Sequence, residues 1–181
     1  MPISHTLRSG RPVAALALVA LTLAACGAPD APMAPTASAS LSSTVDDTTS
    51  GWELLQCAGE VTQSTSATIG TSGGTLLLNS SSTSIPSGAV GTTQTFQAST
   101  LAGDLVGVDV HAVGQTSYRF RQPITITIDY SRCGTVQGPL RVWYIDPVTH
   151  ALLEDMGGVN DTFLKTISFT TTHLSIYAVA N

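Results

Sequence analysis

The sequence predicts an all-β fold, an antiparallel β-sandwich, on three observations. Ile124-Thr125-Ile126-Thr127-Ile128-Asp129 alternates strictly, so three isoleucines share one face while two threonines and an aspartate share the other. A strand with one dry and one wet face belongs to an antiparallel sheet packed on a single side. The same alternation recurs in Val106-Gly107-Val108-Asp109-Val110, and around Ile167 and Phe169 with Thr166, Ser168 and Thr170 between them. Finally, Gly73-Gly74, Pro86-Ser87-Gly88, Gly114, Gly134, Gly138-Pro139, Asp146-Pro147 and Gly157-Gly158 break the chain too often for a long helix. Many short strands with frequent turns, from Trp52 to the C terminus, indicate a sandwich.

The N-terminal part has a different character. Arg8 and Arg11 precede an apolar run from Val13 to Leu23, broken by Thr22, and then Ala24 and Ala25. A charged start, a short apolar stretch and a small-residue cleavage site make residues 1–25 a signal peptide, too short to stay as a membrane-spanning helix. Leu23-Ala24-Ala25-Cys26 resembles the bacterial lipobox. The resemblance implies that Cys26 receives a diacylglyceryl group, that the leader is cut before it, and that the new amine is acylated. Two or three chains anchor stably where one binds only reversibly. Gly27 follows instead of the Asp that retains such proteins in the inner membrane of Gram-negative cells, which favours the outer membrane. An ordinary secretory leader cut after Ala25 is the alternative. Residues 26–51 carry Pro29, Pro32 and Pro35 and then Ser, Thr and Asp without an apolar period, and are expected to be a disordered tether. A flexible coil of about 25 residues spans roughly 25 to 30 Å.

Residues 52–181 then form one domain of ordinary size with a real core. With the leader removed, the basic residues fall from seven to five against twelve acids, a net charge of −7. Nucleic acid and anionic lipid need a basic face, so neither is expected as an electrostatic partner. If Cys26 is acylated, Cys57 and Cys133 remain as an even pair in an oxidising compartment, and a disulfide between them is expected. There is no CxxC and no His/Cys cluster, so no zinc or redox site is expected, and no cofactor.

Five pieces occur in the order seen in ZU-five domains: residues 67–76 (ATIGTSGGTL), 85–90 (IPSGAV), 120–126 (FRQPITI), 140–144 (LRVWY) and 173–179 (HLSIYAV). Together they resemble that β-sandwich family, known from ankyrins, netrin receptors and tight-junction scaffolds. The resemblance implies a non-enzymatic module that binds other proteins, here another envelope protein or a surface polymer. Residues 52–66 lie outside the pattern, and no binding residues carry over.

The enzyme signals are weak. The sequence has no GxSxG elbow, P-loop, HExxH helix, dinucleotide fingerprint or EF-hand loop. His111, His150 and His173, with Asp109, Asp129 and a serine, are the residues from which a loop-built hydrolase would draw a triad; scattered surface histidines are the simpler reading. Asp104 and Asp109, or Glu154 and Asp155, are the acids a calcium-dependent carbohydrate or protein binder would use, yet they lack a spaced ligand run. Asn79 and Asn160 begin glycosylation triplets, which are usually silent in a bacterium such as the lipobox resemblance implies. Trp143 and Tyr144 should point to opposite faces of a strand, with Trp143 expected in the core. His173-Leu174-Ser175 resembles the His-Leu-Ser/Thr self-cleavage site of adhesion-type receptors and a related His-Phe-Ser site in some ZU-five-containing proteins. In that chemistry His173 would act as base and Ser175 as nucleophile. The plain alternative is that residues 172–179 form the last strand, and an intact chain is expected.

Overall fold

The alternating runs pair as the periodicity requires. The structure, a computed structural model, describes residues 51–59 and 62–181. The leader, Cys26 and the tether up to residue 50 lie outside the described residues.

Eleven strands make up the described fold: β1 (Ser64–Ile69), β2 (Gly74–Leu78), β3 (Ser81–Ile85), β4 (Gln94–Thr100), β5 (Gly107–Ala112), β6 (Arg119–Asp129), β7 (Arg141–Ile145), β8 (Leu152–Gly157), β9 (Val159–Asp161), β10 (Thr166–His173) and β11 (Ile176–Ala180). One sheet has six strands in the order β1-β4-β5-β11-β7-β8, the other five in the order β2-β3-β6-β10-β9. All pairings among the described strands are antiparallel. Two such sheets packed face to face are the expected sandwich.

Ile124, Ile126 and Ile128 of β6 point inward, as do Val108 and Val110 of β5 and Ile167 and Phe169 of β10, and all are buried. Burying one such side chain contributes about 1.5 to 3 kcal/mol. Turn chemistry fixes the register. Asn79 adopts φ 52° in the two-residue connection between β2 and β3, the left-handed conformation that a tight hairpin needs. Gly73 has φ 76°, and a Cβ there would meet the carbonyl carbon of Pro86 at 2.7 Å. Pro123, inside β6, lies beyond the end of the β3 ladder at Ser84↔Thr125 and beside the register shift of β10 between Thr171 and His173. A bulge removes the need for the amide that proline lacks.

The segment left unassigned by the sequence has a specific place. Glu53 and Asn181 exchange backbone hydrogen bonds (3.1 and 3.0 Å), Leu55 N donates to Val179 O (2.8 Å), and Leu55 O accepts from Val106 N (3.0 Å). Cys57 N then donates to Asp104 O (2.8 Å). Residues 53–57 therefore rise along the end of β11, turn at Leu55 and descend along the residues before β5, filling a fork where the two neighbours splay apart. Leu55 at the apex is buried in the inter-sheet core, whereas Trp52 and Leu54 lie on the outer face over a second apolar cluster of Trp143, Ile145, Ala178 and Ala180.

Trp143 is thus buried, as expected, but not in the main core. Its ring stands 6.2 Å from that of Trp52, with the Arg141 guanidinium 5.9 Å from the Trp52 ring, and Tyr144 faces the inter-sheet core instead. The Cys57–Cys133 disulfide is present, with Cα atoms 5.2 Å apart, and it ties the arch to the loop after β6.

Candidate functional site

The register fixes which loops share an end. At one end, the entry end, lie Gly51, the arch, the disulfide, Asn181 and the turn between β9 and β10. At the far end lie the turn between β7 and β8, the loop joining β5 to β6, and the passage from β10 to β11.

That passage corrects one expectation. Residues 172–179 are not one strand: β10 ends at His173 in the five-stranded sheet, and β11 begins at Ile176 in the six-stranded sheet. Leu174 and Ser175 form the crossing, so the peptide bond flagged by the self-cleavage motif lies at a corner between sheets. Leu174 N donates to Tyr118 O (3.3 Å), and Ser175 O accepts from Val110 N (3.0 Å).

Under this corner is a polar core network. Tyr177 is fully buried, and its hydroxyl donates to His173 O (2.8 Å) and lies 3.3 Å from Thr171 Oγ1. Thr171 Oγ1 also accepts from His173 N (3.2 Å) and sits 3.2 Å from His173 Nδ1. Burial pushes the Tyr177 phenol up to about 12, against the opposing effect of its Thr171 hydrogen bond. The rings of Tyr144 and His173 meet edge to face with centroids 6.0 Å apart.

A cleft of about 510 Å³ opens beside the network. Tyr118, Arg119, Tyr144, Glu154, His173 and Ser175 line it, so both residues of the cleavage motif and one of the calcium candidates come together there. Arg119 reaches Thr172 Oγ1 at 3.4 Å. Of the two tyrosines in the wall, Tyr118 is backed by Phe96 and Phe120 at centroid distances of 5.1 and 4.9 Å. Aromatic walls with an Arg, a Glu and a His at the rim can hold a polar group by hydrogen bonds while its apolar side stacks.

The other candidates are dispersed. His111 lies on β5 with Asp109, 3.5 Å away, and His150 stands in the turn between β7 and β8 with φ 57°. Asp129 is at the entry end, where its carboxylate accepts from Ser131 N and Oγ (3.1 and 2.6 Å). Asp104 lies beside the arch, and Asp155 pairs with Arg141 at 2.8 Å and accepts from Gly157 N at 2.7 Å. Among the described residues no group of three or more His, Cys, Asp or Glu side chains is placed to hold a metal ion. Asn160 accepts from the Tyr130 hydroxyl at 2.6 Å, which gives that residue a structural role.

Sequence reasoning did not find Tyr118, Arg119 or Tyr177. Tyr177 carried a usable signal, being two residues beyond Ser175 in an alternating run; Arg119 carried none, because strand order brings it to the cleft. No family model matches the chain, and comparison with curated proteins finds none similar to it.

Proposed function

We propose that this is a bacterial envelope lipoprotein, anchored through acylated Cys26, whose ZU-five-like sandwich is a non-enzymatic binding module. Its far-end cleft takes up another envelope protein or a surface polymer, and the outer membrane is its favoured location. The observation that supports this reading most is the arrangement along β11. The arch that follows the tether pairs with Ala180 and Asn181, while Ser175 at the other end opens onto the cleft. At about 3.3 Å per residue the two are roughly 20 Å apart. A tether at one end and a polar-aromatic cleft at the other suit a module held at a surface and reading what lies beyond it. Ligands recognised by such a cleft need no covalent chemistry from His173 or Ser175.

Fractionation and crosslinking test it together. Cys26→Ser should move the protein from the membrane to the soluble envelope fraction, and the wild type should carry lipid mass on Cys26. A photoreactive residue replacing Glu154 should capture an envelope component that the same residue replacing Leu77, on exposed β2, does not. Equal capture from both positions counts against the cleft, and an unlipidated Cys26 counts against the anchor.

A self-processing reading has one observation in its favour, the position of the Leu174-Ser175 bond at the corner between sheets. It remains the alternative, decided by the mass of the chain.

A further inference from the structure

The strongest unexplained surface feature is the turn between β9 and β10. Phe163 is 90% exposed and Leu164 60% exposed. By contrast Phe96, Phe120 and Phe169 are all buried. Val159, on the adjoining edge strand, is 78% exposed, so three large apolar side chains of one hairpin face outward. Isolated apolar residues on a surface are ordinary, but neighbouring ones on a single projection mark a contact.

The turn is built to hold them there. Asp161 Oδ1 accepts from Phe163 N (3.0 Å) and Leu164 N (2.9 Å). Lys165 takes φ 53°, and its amine donates to Cys133 O (2.9 Å) and Gly134 O (3.2 Å). Its carbonyl accepts from Tyr130 N at 2.9 Å. The basic residue of the turn is therefore directed back into the fold, and the tip presents carbon. Since Cys133 is bonded to Cys57, the tip is fixed to the arch, at the end where the chain enters at Gly51.

We propose that the Phe163-Leu164 tip inserts into the interface of the bilayer that holds the protein. This inference rests on the lipoprotein reading, which places a membrane on the entry side. Aromatic and aliphatic side chains at the headgroup boundary are the usual membrane-interface anchors. With a net charge of −7 after removal of the leader, the contact would be apolar rather than electrostatic, so it should not depend on anionic lipid. The tether then supplies proximity and the tip supplies orientation, with β11 running toward the membrane and the cleft at its start facing outward.

The test uses the full-length protein as isolated from its cells, with the mass on Cys26 measured, in phosphatidylcholine vesicles whose acyl chains are brominated either near the headgroup or near the chain end. Phe163→Trp should be quenched beyond the parent protein, whose Trp52 and Trp143 set the background, and more by the shallow bromine than by the deep one. Adding Leu164→Asp should abolish that excess. Vesicle-bound protein with no excess quenching overturns the tip contact and leaves the anchor reading intact. Excess quenching in a protein whose Cys26 carries no lipid keeps the tip contact and overturns the anchor. Excess quenching that is absent in phosphatidylcholine and appears only when anionic phosphatidylglycerol is added to the vesicles overturns the apolar mode proposed.

Discussion

The hydroxyl of Tyr177 in β11 donates to the carbonyl of His173, the last residue of β10, at 2.8 Å. A side chain of one sheet thereby pins the final turn of the other across the corner at Leu174 and Ser175. Removing the hydroxyl in Tyr177→Phe leaves His173 O without this donor while keeping the ring packed on Phe169 at 4.9 Å. A loss of about 1 kcal/mol is expected, read by urea denaturation. Ring packing being retained, an unfolded variant would contradict this account.

The same hydroxyl predicts a pH dependence. The folded phenol is raised from 10.0 to about 12, so the folded state keeps a proton that the unfolded state gives up. Stability from this group is therefore complete below pH 10 and is lost as pH rises toward 12. At pH 11 the loss should be on the order of 1 kcal/mol. The difference in stability between wild type and Tyr177→Phe should shrink between pH 9 and pH 11, the other tyrosines cancelling in the comparison. A constant difference would show that Tyr177 is not titrating as described.

The disulfide closes a separation of 76 residues. The chain-entropy relation makes that worth about 4 to 5 kcal/mol as an upper figure. Cys57→Ala with Cys133→Ala should lower the urea midpoint strongly and speed amide exchange at positions 55 and 57 more than at Ile126, because the arch loses its fastening. Equal acceleration at all three would mean that the arch is held by its backbone bonds alone.

Gly107 should not tolerate a side chain. A Cβ there would fall onto the Tyr177 carbonyl oxygen and lie 2.7 Å from Leu101 Cδ1 and 2.9 Å from Ala178 Cα. Two of these are backbone atoms of the adjoining strand and cannot step aside. Gly107→Ala is expected to cost about 1 to 3 kcal/mol, the range for overpacking, while Gly114→Ala meets nothing within 4 Å but has φ 79° and should cost less. Thermal melts of the two variants rank them.

The chain should be intact. Intact-protein mass spectrometry is expected to give one mass with no break between Leu174 and Ser175. A break that disappears in Ser175→Ala would make this a self-processing domain and replace the binding-module reading.

What the sequence disclosed follows from how local each signal is. The isoleucines of β6 and the valines of β5 were legible because a period of two reports a buried face without reference to any partner. The disulfide was legible because only two cysteines remain once Cys26 is set apart. The crossing at Leu174 was not, since the apolar pattern runs through it: Ile167, Phe169 and Thr171 are buried before the corner, and Tyr177 through Ala180 after it. Parity tells which side of a sheet a residue faces, not which sheet it belongs to. Trp143 was placed inside correctly but under the wrong cover, because nothing local announces that Trp52 folds back onto the outer face. The cleft was least legible, assembled from β6, β7, β8 and β10 by a strand order that only the completed fold defines.

β11 is the third strand from one edge of its six-stranded sheet, flanked by β5 and β7, and the arch at residues 53–57 pairs with residues 179–181. A polypeptide that emerges N terminus first, from a ribosome or a translocase, therefore holds β1-β4-β5 and β7-β8 as separate parts of that sheet, with the arch lacking its β11 partner, until β11 follows. Most of its pairings are distant in sequence, which makes folding slow and late. The two parts of the sheet are joined only when Tyr177 through Asn181 enter between strands made earlier, so the segment that closes the sheet is also the one that seats the arch.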